Sequence, residues 1–161
     1  MVLVLSVQHG RSTLTTFNTT AEIIGDIGEV VVQEFFNSTR SVYKYDAEKD
    51  GTIEQMKYAV KTFRLNKSTK GFWMSDNKTK IMWKNVDAAD LLFFIRVPES
   101  INDPAELYLA IDHRNSYNMV TTNSGIPCRN YPLTKCLKLC NITEDRSRIL
   151  YENSVQLRRV A

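Results

Sequence analysis

The sequence predicts an α/β domain, with a mixed sheet built around a β-hairpin and flanked by helices. Three observations carry that expectation. Residues 20–36 set apolar side chains at helical spacing, residues 41–63 alternate on either side of an Asp-Gly step, and residues 89–98 form a continuous apolar run closed by proline. The 161-residue chain is 43% apolar and 24% charged, with no internal repeat and no composition break. One domain over residues 1–161, burying one core, is the expected organisation.

Each element follows in order. In "TTAEIIGDIGEVVVQEFF" Thr19 or Thr20 is a suitable N-cap and Glu22 falls in the first turn. Ile23, Ile27 and Val30 repeat at helical spacing beside Ile24, Val31 and Phe35, whereas Glu22, Asp26, Glu29 and Gln33 line a second face. The β-branched run Val30 to Val32 works against the helix, and "NSTR" ends it. "SVYKYD" then alternates as a strand, Asp50-Gly51 is a strong two-residue turn signal, and "TIEQMKYAVKTF" alternates as a longer second strand. With that turn Lys49 faces Thr52, and Asp46 stands across from Gln55. Alternation then gives Gln55, Lys57, Ala59 and Lys61 one face and leaves Met56, Tyr58 and Val60 to pack on the helix. "RLNKSTKG" reads as a basic loop, and residues 74–90 as a short helix with Met74, Ile81, Met82, Trp83 and Val86. "ADLLFFIRVP" has the pattern of a strand buried on both faces. "AELYLAID" suits a strand or short helix, residues 112–134 read as loop, and "SRILYENSVQLRRVA" closes the chain as helix or strand. Phe72, Trp73 and Trp83 are expected in the core beside the apolar strand.

Charge is uneven. The net charge is only +3, yet Lys57, Lys61, Arg64, Lys67, Lys70, Lys78, Lys80 and Lys84 meet a single acid, Asp76, in one stretch. Such density suits a face that binds phosphates. "MVLVLSV" is short for a signal sequence and lacks a basic start, and no later stretch could span a bilayer. Three cysteines, an odd number, suit a reducing compartment. The expected location is therefore cytoplasmic, and the Asn-x-Ser/Thr triplets follow from composition. Cys128, Cys136 and Cys140 contain no Cys-x-x-Cys pair and read as idle thiols, and neither His9 nor His113 is assigned a catalytic part.

The hairpin carries the chemistry. One face would gather the Asp46 carboxylate, the Gln55 amide oxygen and the Lys57 and Lys61 ammonium groups, a set suited to metal-assisted phosphodiester hydrolysis. Oxygen donors hold a hard cation such as Mg²⁺, and a lysine beside it orients or deprotonates water and offsets developing charge. The order helix with Glu, strand, Asp, hairpin, Gln-x-Lys, helix, apolar strand resembles the PD-(D/E)xK nuclease superfamily over residues 19–98. "GDIGE" is similar to that family's helix glutamate motif, and "ADLLFFIRVP" to the strand after its second helix. The resemblance implies a restriction-endonuclease-like core. It makes Asp46, Gln55 and Glu29 metal ligands and Lys57 the catalytic lysine, with Glu22 as rival to Glu29. A second register pairs Asp50 with Lys61, where "AVKTF" resembles the family's "EVKT" with Ala59 at the acid position.

The implied activity is Mg²⁺-dependent, sequence-specific cleavage of double-stranded DNA, with Mn²⁺ as a substitute metal and a homodimer or homotetramer as the working form. A homing endonuclease is favoured over a restriction enzyme. A Holliday-junction resolvase, or a non-catalytic nucleic-acid or protein interaction module, is the alternative. Residues 99–161 would then supply DNA contacts: Arg114, Asn115, Asn118, Arg129 and Asn130 are types that read base edges. Lys67, Lys70, Lys78 and Lys80 suit phosphates, which position without specifying.

Overall fold

The computed structural model describes residues 20–36, 39–40, 51–65, 68–76 and 82–160. It has α/β architecture, with helices α1 (Thr20–Phe36), α2 (Met82–Ala88) and α3 (Glu144–Val160). The strands are β1 (Thr39–Arg40), β2 (Gly51–Ile53), β3 (Met56–Arg64), β4 (Gly71–Ser75), β5 (Leu91–Val97), β6 (Glu106–Ala110), β7 (Asn118–Thr121), β8 (Pro127–Pro132) and β9 (Cys136–Asn141). Among the described residues six strands form a mixed sheet in the order β1-β2-β3-β5-β6-β9, and β4-β8-β7 form a second, antiparallel sheet. In the larger sheet β3 and β5 pair in parallel, with Tyr58 opposite Leu91 and Arg64 opposite Val97, and every other pairing is antiparallel. None of the described helices is long and apolar enough to cross a membrane.

Strand alternation sends the large sheet's side chains into two cores. On one face Tyr58, Val60, Phe93 and Ile95 pack with Ile27 and Val31 of α1 and Leu150 of α3. On the other Ala59, Leu92, Phe94 and Tyr108 pack with Val86 of α2 and with Phe72, Met74 and Tyr131 of the small sheet. β5 is therefore buried on both sides, as its run of apolar residues implies. Val30, Val31 and Val32 are all buried within α1, so tertiary packing outweighs their modest helix-propensity cost.

The hairpin differs from the sequence expectation. Gly51 lies inside β2, opposite Tyr58, and the two-residue loop is Glu54-Gln55, with φ of 49° and 71°. Moving the loop changes the phase of Ile53. With an Asp50-Gly51 turn, Ile53 would share the outward face of Lys57. With the observed turn it pairs with Met56 and is buried against α1. Burying an isoleucine contributes about 1.5–3 kcal/mol, comparable to the roughly 1–2 kcal/mol that each non-glycine residue costs in the left-handed region. Tyr58 and Val60 pack toward α1 as expected, but Met56, beside the loop, is exposed.

Two further expectations are corrected. The helix expected over residues 74–90 is confined to Met82–Ala88, and Met74 and Ser75 instead end strand β4, where Phe72 and Met74 point inward and the strand pairs with β8. Residues 112–134 contain the β7–β8 hairpin. Its bend is held by Gly125 N to Thr122 O at 2.9 Å, Ile126 N to Thr122 Oγ1 at 3.0 Å, and Gly125 at φ 82°. The undecided segments resolve as strand β6 and helix α3.

Candidate functional site

Lys57, Ala59 and Lys61 alternate along β3 on the face turned away from α1, and both lysines are partly exposed. Lys57 lies opposite Thr52 on β2, and its main chain is tied to Asp90 twice: Lys57 N donates to Asp90 Oδ2 at 2.9 Å, and Asp90 N donates to Lys57 O at 2.8 Å. Lys61 lies further along, opposite Phe94 of β5, where β3 sits well inside the sheet. Gln55 is exposed in the hairpin loop and leaves the ladder.

Glu22 and Glu29 are half-buried on α1, which packs on the opposite face of the sheet. Gly28 sets that approach. A Cβ there would stand 3.3 Å from Thr62 Oγ1, 3.5 Å from Ile95 Cδ1 and 3.7 Å from Val60 Cγ2, so the helix lies close against β3 and β5. Asp26, two residues before Gly28, is the buried acid of this helix at 6% exposure; its place on a mostly buried stripe beside Ile27 is the signal that sequence reading passed over. Glu29, Gln55 and Lys57 are thus divided between a helix on one face, a loop tip and the other face. Among the described residues no three His, Cys, Asp or Glu side chains converge as metal ligands. Of the expected Mg²⁺ ligands, Gln55 stands in the hairpin loop and Glu29 on α1. Asp46 and Asp50 lie outside the described residues, as do Lys67, Lys78 and Lys80.

The expected base-reading residues divide into structural and exposed ones. Arg129 is buried at 7% exposure; its guanidinium donates to Asp87 Oδ1 at 2.8 Å and Oδ2 at 2.9 Å, and to the Tyr131 hydroxyl at 3.2 Å. It also lies over the rings of Tyr117 at 4.2 Å and Trp83 at 5.0 Å. The Asp87 bonds raise its already high pKa, against the opposing effect of burial. A fork closed in this way joins α2 to the small sheet and is not offered to a base edge. Arg114 serves the C-terminus of α2, donating to Asp87 O and Ala89 O at 2.7 Å each, with Asp90 at 3.7 Å. His113 Nε2 stands 3.1 Å from Val86 O and 3.0 Å from Ala89 O, and desolvation by burial pushes its pKa down. Both oxygens are acceptors, so Nε2 carries the proton. At the other end of α2, Met82 N donates to Asp76 Oδ1 at 3.1 Å.

Asn115 donates to its neighbour Asp112 at 3.0 Å, whereas Asn118, Asn130 and Lys70 occupy the small sheet and its approach. Sequence reading missed a four-residue polar cluster on the large sheet. Glu106 takes bonds from Lys138 at 2.8 Å, the Tyr108 hydroxyl at 3.1 Å and Arg96 at 3.3 Å. Burial alone would raise its carboxyl, but the Lys138 and Tyr108 bonds and the charges of Lys138 and Arg96 outweigh it and hold the pKa low. The available signal was Arg96, a lone charge in an apolar strand. The cysteines are free, and burial pushes the Cys136 thiol up to about 11, which leaves little thiolate for reaction at neutral pH. No family model matches the chain, and no curated protein matches its sequence.

Proposed function

We propose that the chain is a Mg²⁺-dependent endonuclease of double-stranded DNA, built on the restriction-endonuclease-like core of the PD-(D/E)xK superfamily. One observation supports this above the others. Helix α1, the antiparallel β1-β2-β3 meander, helix α2 and strand β5 follow in the order that the resemblance implies. β5 then joins β3 in parallel, making the sheet mixed. A parallel neighbour requires a crossover, and residues 65–90, with β4 and α2, provide one.

The β2–β3 register changes the residues assigned. Gln55 belongs to a loop, so no ladder sets it opposite Asp46. We assign Lys61 as the catalytic lysine and Asp50 as the metal-binding carboxylate. Asp50 directly precedes Gly51, the first residue of β2, and stands at the same sequence spacing from Lys61 as Asp46 does from Lys57. Ala59 takes the place of the family's second acid, a departure that makes Asp50 the carboxylate on which the reading depends. Mg²⁺ is the required cofactor and Mn²⁺ its substitute. A homodimer or homotetramer would cut both strands, and homing is favoured over restriction.

The test is cleavage of duplex DNA, including the gene's own flanking sequence, with Mg²⁺ titrated. Lys61→Ala and Asp50→Ala should each lower the rate at least about a hundredfold while leaving DNA affinity within about threefold. Lys57→Ala should remain within about tenfold of wild type. A wild-type chain that cuts no duplex with any of several divalent metals ends the enzyme reading. It would leave a non-catalytic nucleic-acid interaction module, which the alanine at position 59 already favours as the second reading. Preference for four-way junctions over linear duplex would identify a resolvase.

A further inference from the structure

The two sheets end in edges of different kinds. Among the described residues β9 closes the large sheet, and it carries Lys138 and a bulge where its register against β6 shifts. Lysines and bulges are common means of keeping an edge strand from pairing. β7 closes the small sheet with neither. Residues 115–127 hold no charged side chain in a chain that is 24% charged. Within that stretch Met119 is 55% exposed, and Ile126, past the hairpin bend, is 48% exposed. Depletion of charge with methionine on display is the composition of a protein interface. The far edge of this sheet, β4, is uncharged as well, and its Trp73 is 47% exposed where core packing was expected.

The β7–β8 ladder fixes which main-chain groups are free. Thr122, which continues the register of β7, donates its N–H to Ile126 O at 2.9 Å, and in an antiparallel ladder every second pair is bonded. Val120 with Cys128 and Asn118 with Asn130 are then the bonded pairs. Met119 and Thr121 fall between them, and Thr121 stands opposite Pro127, which has no N–H to give. The N–H and C=O of Met119 and Thr121 therefore point away from β8, along the open edge. We propose that this edge pairs with β7 of a second copy, antiparallel about a two-fold axis at Val120, which joins two three-stranded sheets into one. In that register Met119 lies opposite Thr121 of the second copy, and Thr121 opposite its Met119. The free groups of both residues are then taken up, and Val120 meets Val120 of the second copy in the closer, unbonded pair. The edge is thus its own complement, and no charge is set against its like. The choice of a second copy rests in part on the nuclease reading, in which each copy cuts one strand. The open ladder does not.

Sedimentation velocity of the full chain in EDTA, without DNA, reads the assembly from about 1 to 200 µM. Wild type should pass from monomer to dimer with a Kd on the order of 10 µM, as suits a short edge ladder. Thr121→Pro removes an outward N–H and no bond to β8, so it should weaken the dimer at least about tenfold while holding the melting midpoint. Val120→Lys and Val120→Glu each set like charges opposite one another and should weaken it to a similar degree. Mixed in equal amounts, those two variants should associate with each other at least as tightly as wild type with itself. That rescue requires residue 120 to face residue 120. Melting midpoints are the folding control, and if either variant at position 120 fails to fold, Thr121→Pro decides alone. A wild type still monomeric at about 200 µM, a dimer indifferent to Thr121→Pro, or Lys and Glu variants that ignore each other would overturn the proposal. So would oligomers that lengthen without limit, the signature of β7 pairing with β4 of the next copy. Cleavage is scored separately with Mg²⁺: this dimer without cleavage sinks the nuclease reading alone, and a monomer that cuts DNA sinks this one alone.

Discussion

Arg129 joins three parts of the molecule through one guanidinium: Asp87 on α2, Tyr131 on its own strand, and the faces of Tyr117 and Trp83. Replacing it with methionine keeps much of the volume and removes the charge. The Asp87 side chain is 39% exposed, so water can rehydrate it once the partner is gone. Arg129→Met should therefore cost about 2 kcal/mol, below the roughly 3–5 kcal/mol of a sealed pair. Urea unfolding measures this, and no loss of stability would mean that the bonds contribute nothing net. His113 yields a pH prediction. Burial holds its folded pKa below the unfolded value near 6.5, so the unfolded chain binds the proton more readily. Its contribution is complete above about pH 6.5 and is lost as pH falls through the lower folded value. Wild-type melting midpoints should fall between pH 7.5 and 5.5 more steeply than those of His113→Gln, which keeps a donor but does not titrate. Parallel slopes would show that His113 binds its proton equally in the folded and unfolded states.

At the scale of elements, the β2–β3 loop ties stability to the site. Glu54 and Gln55 both hold positive φ, the geometry of a loop that favours an Asn-Gly pair. The double substitution Glu54→Asn with Gln55→Gly should stabilise the chain by about 1 kcal/mol and raise the melting midpoint by about 2–4 °C. The same double variant should cut DNA at the wild-type rate if Lys61 and Asp50 carry the chemistry, and lose activity if Gln55 is a metal ligand. The loop also marks where the sequence was hard to read. Asp50-Gly51 is the stronger turn signal, and only the burial of Ile53 reveals that the turn lies four residues further on. α1, β3 and β5 were legible because their buried residues repeat at the period of the element. β7 and β8 were not, because their inward positions include Arg129 and much of the rest of the hairpin is polar or exposed. α3 stayed ambiguous for a similar reason. Buried Ser147 takes a bond from Ala105 N at 2.9 Å and gives one to Ile142 O at 3.1 Å, and buried Ser154 lies two turns on, so the helix's inner stripe is partly polar.

Over the whole molecule, the α/β class and the succession of α1, β3, α2 and β5 were readable, whereas the faces taken by the site residues were not. Which face a residue takes depends on hairpin phase and on the side from which α1 packs, and both are long-range outcomes. One sheet separates the two cores, and that makes a claim about cooperativity. Phe93 meets Tyr58 and Phe36 on the α1 side, with ring centres 5.8 and 5.3 Å away, whereas its neighbour Phe94 stacks on Phe72 at 4.3 Å on the other. Adjacent residues of one buried strand thus anchor opposite cores, and β5 cannot fray without exposing both. Phe93→Leu and Phe94→Leu should each cost about 1–2 kcal/mol, leave the denaturant slope unchanged, and lower the midpoint of one shared transition. Far-ultraviolet circular dichroism should coincide with tryptophan fluorescence, which reports chiefly on Trp73 and Trp83 beside the second core, in all three proteins. If Phe94→Leu shifts the fluorescence curve away from the dichroism curve, the small sheet and α2 unfold as a unit of their own, and the large sheet is then a boundary between two cooperative units rather than their common frame.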